Sequence, residues 1–154
     1  MEIKNTNFKG AIVHPNAFVD SSAELHDGVS IASGAIIGPN VVIDSGTQIG
    51  PNAVIEGKTK IGKNNKVFPN VFIGLEPQDL KYKGASTEVI IGDNNTFREC
   101  VTINKATDEG EKTIIGNKLF DNIFETQAFD HFVWSTFMPT FGRLLADFWL
   151  TFSN

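Results

Sequence analysis

Val13-His-Pro-Asn-Ala-Phe-Val19-Asp-Ser-Ser-Ala-Glu-Leu25-His-Asp-Gly-Val-Ser-Ile31 opens a series in which every sixth residue is aliphatic. It continues through Ile37, Ile43, Ile49, Ile55, Ile61, Val67 and Ile73, eleven positions without an exception. Aliphatic residues make up about a third of an ordinary chain, so chance does not produce this run. A helix does not explain it either, because a period of about 3.6 spreads the same side chains around its circumference. Plain strand alternation fits only locally, since Gly and Asn return hexad after hexad. One short strand plus one corner per hexad satisfies the period, and three hexads then close a triangular coil of about eighteen residues. The aliphatic side chain points inward on each face and stacks on its counterpart one coil away. The position four beyond it is small or branched, as at Ala17, Ala23, Val29, Ala35, Val41 and Thr47. Corners fall on Gly38-Pro39-Asn40, Gly50-Pro51-Asn52 and Asn64-Asn65, residues suited to tight turns and positive φ. The expected fold class is therefore all-β, a single-stranded left-handed parallel β-helix of roughly six coils between residues 8 and 118. Its hand is an exception to the right-handed crossover rule, so the hexad motif carries that statement alone.

The register lapses after Ile73-Gly74 and resumes in phase at Ile91, Phe97 and Ile103; a second lapse ends at Ile115. Residues 75–88 and 104–112 are thus expected as loops extruded from an intact stack. An irregular loop on a rigid scaffold is where function concentrates.

Composition divides the chain. Residues 1–118 hold all eleven lysines, thirteen of the fourteen glycines and six aromatics, whereas residues 119–154 hold ten aromatics, one glycine and no lysine. We read 1–118 as the β-helix and 119–154 as a divergent aromatic-rich tail. The whole length of 154 residues suits one domain. A formal charge of −5 argues against a nucleic-acid surface built on net positive charge. No run of about 18 apolar residues suggests a transmembrane helix, and Met1–Gly10 lacks the apolar core of a secretory signal. Cys100 is the single cysteine, which removes any disulfide framework and makes it, by default, a quiet structural thiol. The expected compartment is the cytoplasm.

The first lapse contains Pro77-Gln78-Asp79-Leu80-Lys81-Tyr82-Lys83-Gly84, and Ile91-Gly92-Asp93-Asn94-Asn95-Thr96-Phe97-Arg98-Glu99-Cys100-Val101-Thr102-Ile103-Asn104 follows it. Together these strings resemble the acyl-carrier-protein-dependent UDP-N-acetylglucosamine O-acyltransferases that begin lipid A synthesis, over residues 12–118. Hexads alone suit many transferases; the Gln-Asp-Leu-Lys-Tyr loop is the specific part, and it separates this family from acetyl-CoA-dependent relatives. The resemblance implies a homotrimer with a cleft between subunits, no cofactor, and two substrates: UDP-N-acetylglucosamine and acyl carrier protein bearing a hydroxyacyl chain. It implies sugar-nucleotide contacts from Gln78, Asp79, the Leu80 backbone and Lys81, with Asn104 where many relatives carry a histidine. The chemistry is sensible, because a carboxylate accepts from sugar hydroxyls and an ammonium answers an anionic ligand. The competing readings are ordinary solvated loop charges for Asp79 and Lys81, and a corner asparagine for Asn104.

Family catalysis implies a general base that takes the proton of the sugar 3-hydroxyl as its oxygen attacks the acyl thioester. That base is the second histidine of a His-x-Ala-His-Asp-Cys-like string, and counting from Gly116 places it at Phe129. His131 is the one nearby candidate, two residues late; such a slip in a hexad coil turns the side chain elsewhere. The alternative is an incidental histidine in an aromatic segment. Beyond Ile115 the next inward position is Asp121, and Phe137, Phe141, Leu144, Leu145, Phe148 and Phe152 follow helical spacing instead. Three readings of the tail stand: a helix capping the open solenoid end, an amphipathic membrane or partner helix, or a frame disruption or truncated gene that leaves the chain truncated or impaired. His14 and His26 raise a zinc alternative, but they lie twelve residues apart where stacking on one face needs eighteen. Besides the acyltransferase, the expectations include a non-catalytic β-helix that binds nucleotide sugar or a partner subunit and, more distantly, an acetyl-CoA-dependent sugar acetyltransferase.

Overall fold

The computed structural model describes Phe8, residues 10–119 and the backbone of Glu125–Thr126. The chain winds as a left-handed parallel β-helix whose three walls are parallel sheets of five, six and five short strands. Strands of one wall are successive turns of the coil. Val13 pairs with Ile31, Ile31 with Ile49, Ile49 with Val67 and Val67 with Phe97 on the first wall. Backbone groups are satisfied coil to coil, as in Phe18 N–H to Ala35 O at 2.9 Å, Ile36 N–H to Ala53 O at 2.8 Å and Val54 N–H to Val71 O at 2.9 Å. Apart from tight-turn bonds such as Ala17 N–H to His14 O, the described strands pair with strands of neighbouring coils, so each coil depends on its neighbours.

The period-six residues form the core. From Val19 to Ile73, and again at Ile91, Phe97 and Ile103, every one is buried, while Val13 and Ile115 at the ends of the stack are half-buried. The residue four places on fills the corner: Ala23, Val29, Ala35, Val41, Ala53 and Val71 are fully enclosed. Three places on lies the left-handed corner itself. Gly28, Gly34 and Gly46, and Asn40, Asn52, Asn64, Asn70 and Asn94, all have positive φ. Glycine has no Cβ to clash there, and asparagine tolerates the conformation better than other side chains.

Two features depart from the expectation. Among the described residues the stack holds five complete coils, where roughly six are expected. Ile61 pairs with Ile91 and Ile91 with Ile115, so the last two coils carry extra chain that leaves the wall and returns. Dividing the length by the coil period counts that extra chain as wall. Cys100, read as a quiet structural thiol, is exposed, and it occupies the left-handed corner at φ +64°. Beyond residue 119 one strand is described: Glu125–Thr126 pairs with Thr102 and Ile103 and extends the six-stranded sheet. His131, Phe129 and the helically spaced residues of the tail lie outside the described residues.

One corner is polar inside. Thr47, Asn65 and Asn95 take the position filled by Ala or Val in most of the other hexads, and all three are buried. Asn65 donates through Nδ2 to Gly62 O and Gly92 O, both at 2.9 Å, and its Oδ1 accepts from Asn95 N–H at 2.8 Å. Thr47 Oγ1 donates to Gly62 O at 2.8 Å and accepts from Asn65 N–H at 3.0 Å. Asn95 repeats the pattern upward, donating to Gly116 O and accepting from Leu119 N–H. A buried polar column is tolerable when its groups are paired in this way. Among the described residues no helix is long and apolar enough to cross a membrane.

Candidate functional site

Residues 76–87 leave the helix between the strands Phe72–Leu75 and Glu88–Ile91, and residues 105–111 leave it between Thr102–Asn104 and Lys112–Ile115. Phe72–Leu75 is paired with Thr102–Asn104, and Glu88–Ile91 with Lys112–Ile115. Both excursions therefore emerge at the same corner on consecutive coils. The exit is built by glycine: Gly74 has φ +80°, and a Cβ there would press on the Glu56 carbonyl oxygen and Thr59 Oγ1. The register shifts between Ile73 and Leu75, a bulge that turns the chain out of the wall.

In the first loop Pro77 is buried and Gln78, Asp79, Leu80 and Lys81 are exposed. The Leu80 side chain is wholly in solvent. Asp79 shapes the tip. Its Oδ1 accepts from Lys81 N–H at 2.9 Å and its carbonyl accepts from Tyr82 N–H at 3.0 Å. This is a turn closed by an aspartate that binds the backbone two residues on. The arrangement presents an amide, a carboxylate and an ammonium from four consecutive residues.

Asn104 stands apart from the tip. It is buried at the end of its strand, opposite Leu75, and its carbonyl accepts from Thr113 Oγ1 at 2.8 Å. It lies at the foot of the two loops rather than among Gln78–Lys81. The base of the loops is also fixed electrostatically. Glu88, where the first loop rejoins the wall, pairs with Lys58 on one side and with Lys112 Nζ at 3.0 Å on the other. These two ammonium groups hold the Glu88 carboxyl below its ordinary value.

Residues that sequence reasoning passed over join the loops. Glu109 Oε2 accepts from Ser86 N–H at 2.8 Å, Gly110 N–H donates to Ser86 O at 3.1 Å, and Lys105 Nζ sits 5.1 Å from the centre of the Tyr82 ring. Pairing between coils brings them together; only a fixed register could have revealed it. His14 and His26 do not converge. His14 Nδ1 accepts from Asn16 N–H, and His26 Nδ1 faces Asp44 Oδ1 at 3.1 Å on the coil above. Among the described residues no three His, Cys, Asp or Glu side chains group as a metal site.

Comparison with known proteins agrees with this architecture. The family described as bacterial transferase hexapeptide (six repeats) matches residues 10–45. An acyl-[acyl-carrier-protein]–UDP-N-acetylglucosamine O-acyltransferase of Akkermansia muciniphila is 53% identical over 112 residues, 73% of this chain and 42% of the relative. The Rippkaea orientalis enzyme of the same description is 64% identical over 53 residues, 34% of this chain and 19% of the relative. Among solved structures, the UDP-N-acetylglucosamine acyltransferase of Bacteroides fragilis superposes with a TM-score of 0.64 at 44% identity, covering 68% of this chain and 41% of that one. The chain spans less than half the length of each of these relatives. Over residues 12–118, sequence and fold together are similar to the N-terminal β-helix portion of the acyl-carrier-protein-dependent UDP-N-acetylglucosamine O-acyltransferases.

Proposed function

We propose that this chain serves the reaction that moves a hydroxyacyl chain from acyl carrier protein to the 3-hydroxyl of UDP-N-acetylglucosamine, and that residues 76–87 supply its nucleotide-sugar contacts. The observation that carries this reading is the exposed Gln78–Lys81 turn, held by Asp79, on an excursion from a β-helix similar to those acyltransferases. Asp79 keeps acceptor capacity for sugar hydroxyls beyond its one backbone bond, since an ionised carboxylate offers about four lone-pair sites. Lys81 supplies a cation for the diphosphate, and Asn104 lines the foot of the cleft. The compartment is the cytoplasm, and three copies with parallel axes form the clefts. No cofactor is required: the sugar oxygen forms a bond to the thioester carbonyl carbon, the carbon–sulfur bond breaks, and the sugar proton passes to a base.

Residues 119–154 lack the family's histidine string, with Phe129 at the counted position of the base. The second reading follows from that substitution: the chain binds UDP-N-acetylglucosamine without acylating it at a family-like rate. Loss of a general base removes about two to four orders of magnitude in rate. Calorimetry with UDP-N-acetylglucosamine, repeated with Asp79→Ala and Lys81→Ala, tests the loop; both substitutions should weaken binding. Turnover with hydroxyacyl carrier protein is measured separately. Acylation that is robust and survives His131→Ala would overturn the binding-only reading, and an affinity untouched by either loop substitution would overturn the loop assignment.

A further inference from the structure

We propose that the loop of residues 105–111 is a positioning brace for the loop of residues 76–87, with Lys105 acting through Tyr82 to hold the Asp79–Tyr82 turn in its ligand-accepting shape. This rests on the nucleotide-sugar reading of that turn and names what regulates its geometry. A turn of four residues, three of them exposed, closed by two local hydrogen bonds, belongs to the least stable part of a fold unless something outside it supplies order. Tyr82 is where it meets the outside. Its N–H closes the turn on Asp79 O, and its half-buried ring lies beneath the Lys105 ammonium at 5.1 Å, within reach of a cation–π contact.

The origin of that cation is rigid. Lys105 N–H donates to Leu75 O at 3.0 Å, so its backbone is anchored to the wall at the point where the first loop departs. Ala106 and Thr107, which follow, are buried. At the other end of the brace, Glu109 and Gly110 engage both backbone polar groups of Ser86, and Glu88 N–H donates to Glu111 O at 3.2 Å. The second loop therefore grips the first near its tip and along its return. Among the described residues Lys105 meets Leu75 and the Tyr82 ring, so its effect on a ligand bound at Gln78–Lys81 would pass through Tyr82.

The test uses the full chain, UDP-N-acetylglucosamine, and ring-labelled tyrosine. Tyr82 is the single tyrosine of the sequence, so its ring reports alone in a carbon-correlated NMR spectrum. Lys105→Met keeps the stem and removes the charge; Lys105→Arg keeps the charge. We expect Lys105→Met to weaken binding about two- to fivefold with an unchanged melting temperature, Lys105→Arg to restore it, and the Tyr82 ring signal to move in Lys105→Met before ligand is added. Wild-type affinity in Lys105→Met overturns the proposal whether or not the ring signal moves. Asp79→Ala separates the two claims: if the wild-type chain and Asp79→Ala both fail to bind, the nucleotide-sugar reading fails by itself. The ring signal then decides the brace, a shift in Lys105→Met supporting it and an unmoved signal overturning it.

Discussion

Asn65→Ala puts the interior polar column under direct test. The substitution deletes two donations, to Gly62 O and Gly92 O, and one acceptance, from Asn95 N–H. The losses are unequal. Gly62 O keeps the Thr47 hydroxyl at 2.8 Å and is largely protected. Gly92 is half-buried, so its carbonyl can turn partly to water. Asn95 is 1% exposed, and its N–H is left without an acceptor where water does not reach. An unpaired buried polar group costs about 1–3 kcal/mol, so the Asn95 N–H at the upper end and the Gly92 carbonyl at the lower give about 3–4 kcal/mol. That exceeds a hundredfold in the folding equilibrium, against a typical total of about 5–15 kcal/mol. Guanidinium unfolding followed by circular dichroism, at fixed protein concentration, measures the loss, and an unchanged slope would show that the same surface is exposed. Hydrogen exchange should accelerate at the Asn95 and Leu119 amides. Thr47→Val combined with Asn65→Ala strips Gly62 O of both donors, so the pair should cost about 1 kcal/mol more than the sum of the single changes. A loss below about 1 kcal/mol for Asn65→Ala, with Asn95 exchange unaltered, would refute the reasoning.

Two further outcomes follow from the corners and the loop base. Cys100→Asn should stabilise by about 0.5–1 kcal/mol in the same unfolding assay, since the left-handed conformation at φ +64° strains a cysteine more than an asparagine. Glu88→Gln should lower the melting temperature at neutral pH, because it leaves Lys58 and Lys112 facing a neutral group. The carboxyl is lowered in the fold from its ordinary 4.5, so its contribution is present above that pH and fades as pH falls through the folded value. The difference between variant and wild type should accordingly narrow as pH falls below 4.5; a gap that widens steadily with acidification would contradict the assignment.

The walls were legible because one chemical demand repeats: each hexad places an aliphatic side chain on the axis, from Val19 to Ile103. The number of coils was not. Ile73 and Ile91 are eighteen residues apart, which is also the length of one coil, so phase does not distinguish wall from excursion. The Gln78–Lys81 string was legible as a resemblance, and the structure adds the turn that displays it. Lys105 and Glu109 were invisible because their meaning depends on which coil lies against which. Asn65 read as a corner asparagine like Asn64 beside it, and the sequence did not set Asn95 apart from Asn94. One of each pair faces solvent in the left-handed corner and the other faces the core, a distinction that a residue type alone does not carry.

The coil-to-coil bonding also fixes how the molecule would yield to a pulling force. Interstrand bonds run along the stack axis, so tension on the chain ends opens one coil at a time instead of shearing a whole sheet. An eighteen-residue coil releases about 6 nm of contour at roughly 3.4 Å per residue. Where partners on adjacent coils lie 30 and 24 residues apart, as at Asn65–Asn95 and Asn95–Leu119, the release grows to about 10 and 8 nm. The two excursions thus act as slack stored within single steps. The turns that bear the candidate site are also the ones that give most length when they let go.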